Sequence, residues 1–116
     1  MQIDAGRFTV RLARDEADVA AAQRLRYRVF VEELGASASP EEHAARREMD
    51  EFDDHFEHLI LIDNECASVD PLDRVAGAYR LMTGERARDG IGFYGATEYD
   101  LSKLERTERE VVELGR

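Results

Sequence analysis

The chain of 116 residues is long enough for one compact domain and too short for two. Its 26 acidic and 16 basic residues leave a formal net charge of −10, which repels nucleic-acid backbones and anionic membrane surfaces, so nucleic acid is excluded as a first expectation. With 43% hydrophobic residues, the composition is typical of a folded domain and not of a disordered chain.

The beginning of the chain, MQIDAGRFTVRLARDE, lacks the apolar segment of a secretory signal. No apolar run approaches the roughly 20 residues that are needed to span a bilayer. The single cysteine, Cys66, has no internal partner for a disulfide, which indicates a reducing compartment, and we interpret it as a passive thiol in a loop. We therefore expect a cytoplasmic protein without a transmembrane segment.

The first predicted elements are a strand and a long helix. Residues 7–14, RFTVRLAR, alternate apolar and polar side chains, which predicts a half-buried strand. Asp15 is the predicted N-cap of the helix, with Glu16 and Asp18 in its first turn, and Gly35 is the predicted C-cap. The apolar surface of this helix is broad, so other parts of the protein must cover it on more than one side.

The segment that follows the helix consists of small and polar residues and contains one proline. Residues 36–48, ASASPEEHAARRE, predict a surface connection with one helical turn that begins at Pro40, behind Ser39. A connection of this length is either a lid over a substrate site or a plain surface loop.

The clearest strand signals are two apolar runs. They are HLILID at residues 58–63 and RVAGAYRLMT at residues 74–83, and the polar stretch between them, with Asp70 before Pro71, predicts a hairpin loop. The last segment, REVVELGR, predicts another strand.

The segment between the last two strands is glycine-rich. Residues 84–105 predict a loop, a short extended piece at Phe93 and Tyr94, and a short helix at residues 102–105. The predicted order is strand, helix, strand, strand, short helix, strand. This order is typical of a mixed α/β sheet.

Charged residues lie where the chain is otherwise apolar. Arg80 interrupts a strand, and a guanidinium group is costly to bury unless a carboxylate receives it. The acids of residues 50–54, DEFDD, precede the neighbouring strand and are candidates to pair with Arg80 and Arg26. Three alternatives remain: these acids bind a cationic substrate, hold a metal with His55 and His58, or form a solvated turn. Their spacing matches neither a calcium loop nor an HExxH helix.

Two further pairs of residues are candidates for a functional site. Glu113 and Arg116 are three residues apart, so a regular strand would send them to opposite faces, whereas a bulge near Gly115 would bring both to one side. Arg26 and Phe30 are i and i+4 neighbours on the predicted helix. Arg26 either reaches the sheet edge beside an aromatic wall or extends to solvent over Phe30.

Five segments of the chain, in this order, resemble one known family. LRYRVFVEELGA, DEFDDHFEHLILID, VAGAYRLM, GFYGATEYDLSKL and VVELGR are similar to the ornithine-lipid N-acyltransferases, which have a GNAT fold and are related to the acyl-homoserine lactone synthases. The resemblance runs from about residue 8 to the end. It implies an α/β (α+β) fold with a mixed, largely antiparallel sheet that is flanked by helices. It also implies that residues 1–116 are the N-terminal part of a GNAT-like domain, truncated after the fourth predicted strand, with the phosphopantetheine-binding half missing.

The resemblance also implies a reaction and its residues. It implies transfer of a 3-hydroxyacyl group from acyl carrier protein to the α-amine of ornithine, by direct attack of the amine on the thioester and with no bound cofactor. By similarity to the lactone synthases, Glu113 is the catalytic residue that orients or deprotonates the amine. The implied substrate-binding positions are Arg26, Phe30, Asp50, Asp53, Arg80 and Arg116, and no metal site is implied.

Some expectations concern specificity and partners. Gly35 and Ala36 stand where lactone synthases commonly carry a tryptophan, which favours ornithine over a sulfonium nucleoside as the acceptor. The alternative functions are a non-catalytic domain that binds carrier protein or a cationic metabolite, and a lactone synthase-like enzyme. We expect the fragment alone to be inactive and its open sheet edge to allow a homodimer. Docking of an acidic carrier protein requires a basic patch, for which the candidates are Arg46, Arg47, Arg86 and Arg88.

Overall fold

A five-stranded sheet forms the centre of the computed structural model, which describes residues 1–116. Strands that follow one another in the chain are neighbours in the sheet, and all four pairings are antiparallel. The predicted α/β fold with a largely antiparallel sheet is therefore confirmed. The strands are β1 (Gln2–Ala5), β2 (Phe8–Leu12), β3 (Glu57–Asp63), β4 (Val75–Thr83) and β5 (Val112–Gly115).

Strand β1 has no counterpart in the sequence prediction. All four of its residues are exposed, and Ile3 is its only large apolar side chain, so it lacks the alternation that marks a half-buried strand. A tight turn through Gly6, at φ +61°, returns the chain into β2. The pairing of β1 with β2 leaves β1 and β5 as the two edges of the sheet.

The long helix begins and ends where the sequence predicts, but its second part is a π-helix instead of an α-helix. Helix α1 (Glu16–Arg26) starts at the N-cap Asp15, whose carboxylate accepts the Asp18 N–H at 2.9 Å. It continues as a π-helix over Tyr27–Glu33, and Gly35 follows at φ +76°. The Val-Phe-Val sequence inside the π-helix is rich in β-branched residues, which favour the α-helix less than straight-chain residues do.

The short helices partly confirm the prediction. Helix α2 (Pro40–Ala45) is capped by Ser39, and helix α4 (Ser102–Glu105) is also present. The predicted loop after β4 is wrong, because helix α3 (Gly84–Asp89) begins there. The Thr83 hydroxyl accepts the Arg86 N–H at 3.2 Å, so this residue is both the strand end and a helix cap. Two 3₁₀-helices complete the chain, at Pro71–Arg74 and at Tyr94–Thr97. The predicted extended piece is confirmed at Phe93, whose backbone is extended, and wrong at Tyr94, where the second 3₁₀-helix begins.

Two apolar clusters form the core. One lies between α1 and the sheet, and its buried residues are Ala21, Ala22, Ile60 and Val75. The other lies near the start of β3, and its buried residues are Phe52, Phe56, Met82, Ala87 and Phe93. Ala78 packs against the first cluster and Met82 belongs to the second, so Arg80, on the same face of β4, lies between them. No helix combines the length and the apolar character that crossing a membrane requires.

Candidate functional site

Asp53 is the centre of a buried ionic network between α1 and β4. Its side chain is only 5% exposed and accepts four hydrogen bonds. Oδ1 receives Arg26 Nη2 at 2.9 Å and Arg80 Nη1 at 3.2 Å. Oδ2 receives Gln23 Nε2 and the Asp50 N–H, each at 3.0 Å. This carboxylate therefore joins two buried guanidinium groups from different elements.

Arg80 extends the network towards the surface. Its Nη1 donates to Asp50 Oδ1 at 2.7 Å, and its Nε donates to the backbone carbonyl of Arg116. The guanidinium carbon lies 4.5 Å from the centre of the Phe56 ring and 5.8 Å from that of Tyr94. Arg80 is thus buried with carboxylates at its tip and aromatic rings at its sides.

The acidic stretch forms a tight turn that buries Asp53 and pairs the partly exposed Asp50 with Arg80. Asp50 Oδ1 accepts the Phe52 N–H at 2.9 Å, and the buried rings of Phe52 and Phe56 anchor the turn in the core. Pairing of these acids with Arg26 and Arg80 is therefore the alternative that the structure supports, and a merely solvated turn is wrong for Asp50 and Asp53. No group of three or more His, Cys, Asp or Glu side chains is placed to hold a metal ion.

The network shifts the pKa values of its members. Burial alone would raise the pKa of Asp53, but the charge of Arg26 and the hydrogen bonds that Asp53 accepts hold it below its ordinary value. Burial would lower the pKa of Arg80, but the hydrogen bond and charge of Asp50, helped by Asp53, raise it. Both charges are therefore stabilised by neighbours in the network, Asp53 mainly by Arg26 and Arg80 mainly by Asp50.

His58 lies beside this network and is kept neutral. It is 4% exposed, and its Nε2 lies 2.9 Å from the backbone carbonyl of Asp53, which only accepts, so Nε2 carries the proton. Burial lowers the pKa of His58, and the charges of Arg26 and Arg80 lower it further, against the opposing effect of Asp53.

This neutral histidine predicts a pH dependence of stability. The unfolded chain binds a proton at His58 more readily than the folded one, so the free energy of unfolding should fall as the pH drops from about 6.5 towards the folded-state pKa. Urea unfolding at several pH values measures this slope. The His58→Gln variant should lose part of the slope, whereas His55→Gln should keep it. An unchanged slope in His58→Gln would contradict the prediction.

A cleft of about 140 Å³ opens beside Arg80, and most of the predicted site residues converge there. Asp50, Arg80, Glu113 and Arg116 line it directly. The guanidinium carbon of Arg116 lies 3.9 Å from the centre of the Phe30 ring, which is carried by the π-helix. Arg26 and Asp53 lie behind the cleft and hold Arg80, and Arg26 does not extend to solvent.

Glu113 binds backbone rather than a charged side chain. Its Oε1 accepts the Tyr94 N–H and its Oε2 accepts the Gly95 N–H, each at 2.8 Å. A Cβ at position 95 would lie 3.1 Å from Glu113 Oε2, so a larger residue there would push this carboxylate by a few tenths of an ångström. The carboxylate therefore fixes the 3₁₀-helix Tyr94–Thr97 against β5, and each of its oxygens keeps one lone pair.

The predicted bulge near Gly115 is wrong. Arg80 pairs with Gly115 and Met82 with Glu113 in an unbroken register, and the only irregularity of the sheet lies between Leu61 and Ile62. Glu113 points to the face of Arg80 by ordinary alternation. Arg116 follows the last residue of β5, so the alternation of the strand does not constrain its side chain, and it reaches the same cleft.

Two cleft residues that contact its arginines, Glu48 and Tyr94, are missing from the sequence prediction. The Glu48 carboxylate lies 3.6 Å from Arg26 Nε and 4.0 Å from Arg116 Nη2, and Tyr94 borders Arg80. Glu48 stands two residues before Asp50, so extending the acidic stretch backwards would have included it. Tyr94 contributes through its backbone and its ring, which no motif of charged residues signals.

The chain is similar to known proteins over most of its length. Residues 25–116 match the family model described as acetyltransferase (GNAT) domain. A Rhodobacter capsulatus protein named L-ornithine N(alpha)-acyltransferase is 49% identical over 109 residues, which cover 94% of this chain and 42% of the relative. A Brucella abortus protein of the same name is 42% identical over 113 residues, which cover 96% of this chain and 40% of the relative.

The chain spans less than half of the length of these relatives. No solved structure matches it. The family model, in contrast, covers most of the chain and includes all seven predicted site residues, from Arg26 to Arg116. The chain therefore belongs to the GNAT acetyltransferase domain family.

Proposed function

We propose that the protein to which this chain belongs transfers a 3-hydroxyacyl group from acyl carrier protein to the α-amine of ornithine, giving a lyso-ornithine lipid. The names of the similar proteins support the acceptor, and membership of the GNAT family supports acyl transfer. The structural observation that carries the proposal is the cleft in which Arg80, Asp50 and Glu113 meet. This cleft presents both signs of charge, as an amino acid substrate requires.

The proposed reaction is a direct displacement. The neutral amine attacks the thioester carbonyl, a nitrogen–carbon bond forms, and the carbon–sulfur bond breaks with release of the carrier thiol. The amine must lose a proton on the way, because a protonated amine has no lone pair for the attack. We propose that Glu113 orients the amine and accepts this proton, directly or through a water molecule, with the lone pairs that its backbone partners leave free.

The other predicted residues have positioning roles in this proposal. Asp53 holds Arg26 and Arg80 in place from the buried side. Asp50 and Arg80 shape the wall of the cleft, and Arg116 stacks on Phe30 at its rim, where a guanidinium group is placed to bind a carboxylate. No residue in this scheme forms a covalent intermediate.

The partners follow from the same proposal. The proposed basic groups for an acidic carrier protein are Arg46, Arg47, Arg86 and Arg88. Arg47 and Arg86 line a second, larger cleft of about 720 Å³, but five acids line it as well, so that cleft by itself is not a basic patch. We further propose that residues 1–116 are the N-terminal part of a GNAT-like domain that is inactive by itself. A homodimer through the open sheet edge and a cytoplasmic location remain predictions.

Assay of the whole protein tests the function. Acyl carrier protein with a 3-hydroxyacyl thioester is incubated with ornithine, and free thiol and acylated ornithine are measured together. We expect one thiol released for each amide formed. Calorimetric binding of ornithine or acyl carrier protein without thiol release would instead identify a non-catalytic binding domain, and acylation of a sulfonium nucleoside would identify a lactone synthase-like enzyme.

A further inference from the structure

Three carboxylates line the small cleft, and two of them are already engaged. Asp50 Oδ1 receives Arg80 Nη1 at 2.7 Å, so its charge is matched by a direct ion pair. Both oxygens of Glu113 receive backbone N–H groups at 2.8 Å. A new cation at Asp50 would therefore compete with Arg80, and Glu113 offers only the one lone pair that each of its oxygens has left.

Glu48 differs, because neither of its carboxylate oxygens makes a hydrogen bond. The nearest cationic atoms, Arg26 Nε and Arg116 Nη2, lie at 3.6 and 4.0 Å, beyond hydrogen-bond length. The backbone of Glu48 is nevertheless fixed. Its N–H donates to the Gln23 carbonyl at 2.9 Å, and its carbonyl accepts Arg26 Nη2 at 2.8 Å. The carboxylate is thus held at the cleft with its lone pairs unused.

A second observation concerns the buried side of Glu48. Arg26 is 4% exposed, and its Nε and Nη1 have no hydrogen-bond partner. Since Nε faces the Glu48 carboxylate at 3.6 Å, this pair is an ion pair without a hydrogen bond, unlike the contact of Arg26 with Asp53 at 2.9 Å. The attraction of Arg26 restrains Glu48 electrostatically and leaves the side of the carboxylate that lines the cleft open to a ligand.

We infer that Glu48 is a specificity-determining residue that binds the side-chain ammonium group of a diamino acid acceptor. This inference rests on the proposed function. A compact ammonium group needs acceptors with free lone pairs, and Glu48 is the one carboxylate of the cleft with both oxygens unbonded. Binding at Glu48 leaves Glu113 available for the α-amine, so the two amino groups of the acceptor are told apart by two different carboxylates.

The experiment compares ornithine with norvaline, which has the same carbon chain but no side-chain amine. The kcat/KM for thiol release is measured for the whole protein and for its Glu48→Gln variant. We expect Glu48→Gln to lower kcat/KM for ornithine about 10- to 100-fold, mainly through KM, because a charge-assisted hydrogen bond is lost. The value for norvaline should change less than about twofold, since norvaline never makes this contact. Glu51→Gln, which removes a charge from an exposed neighbour, should leave both values unchanged.

An equal fall for both amino acids would overturn the inference, because it would indicate that Glu48 only supports the fold of the cleft. No fall for ornithine would overturn it as well. Calorimetric titration with ornithine and with norvaline compares their dissociation constants, and so measures the same preference without turnover. If the preference for ornithine is present and depends on Glu48 but no thiol is released, the inference stands and the proposed reaction fails. If wild-type protein binds norvaline as tightly as ornithine, the inference fails even where acyl transfer is observed.

Discussion

Replacing Asp53 with alanine is expected to lower the free energy of unfolding of this chain by about 3–5 kcal/mol. The carboxylate is buried and accepts hydrogen bonds from Arg26, Arg80, Gln23 and the Asp50 backbone. Its removal leaves Arg26 without a hydrogen-bonded carboxylate and Arg80 with Asp50 as its remaining one, and a buried charge that loses its partner is strongly destabilising. Urea unfolding followed by circular dichroism measures the change.

Two variants identify the cause of that loss. Asp53→Asn keeps the shape of the side chain and one acceptor oxygen, so it should destabilise the chain by less than Asp53→Ala does. The difference between the two variants separates the effect of the lost charge from the effect of the lost packing. Asp63→Ala removes an acid of the same type that pairs with the exposed Arg7, and solvent screens such pairs, so its effect should be much smaller. The account of the buried network would be wrong if Asp53→Ala and Asp63→Ala had equal effects.

The network itself could be predicted from the sequence, because the cost of burying charge leaves few solutions. Arg80 stands among apolar residues of a long strand, and the acids of residues 50–54 precede the next strand along the sheet. An arginine in that position requires a carboxylate from a neighbouring element. The pairing of Arg80 with Asp50 and Asp53, and of Arg26 with Asp53, follows from this requirement.

Other features depend on the backbone and leave no pattern in the side chains. Glu113 binds two backbone N–H groups, and any residue can donate those, so neither Tyr94 nor Gly95 could be identified as its partner beforehand. The route by which Arg116 reaches the cleft depends on where β5 ends, and strand ends are the least certain part of a prediction. The change from α- to π-helix before Phe30 likewise depends on hydrogen-bond geometry that periodicity does not resolve.

Replacing Glu113 with glutamine in the whole protein is expected to lower kcat for acyl transfer to ornithine about 10²- to 10⁴-fold, which is the range for loss of a general base. Glutamine keeps the size of the side chain but cannot accept the proton of the attacking amine. It also offers one acceptor oxygen where Tyr94 and Gly95 each donate an N–H, so a displaced 3₁₀-helix is the competing explanation for any loss.

The pH dependence of that loss separates the two explanations. Above the pKa of its own ammonium form, the acceptor amine is already neutral and needs the base less, so the ratio of wild-type to Glu113→Gln activity should shrink as the pH rises. A displaced 3₁₀-helix would instead reduce activity by the same factor at every pH. Gly95→Ala is the matched variant, because its Cβ, 3.1 Å from Glu113 Oε2, disturbs the same contact while the carboxylate remains. If Gly95→Ala reproduces both the size and the pH profile of the Glu113→Gln loss, Glu113 is a positioning residue and the proton has another acceptor.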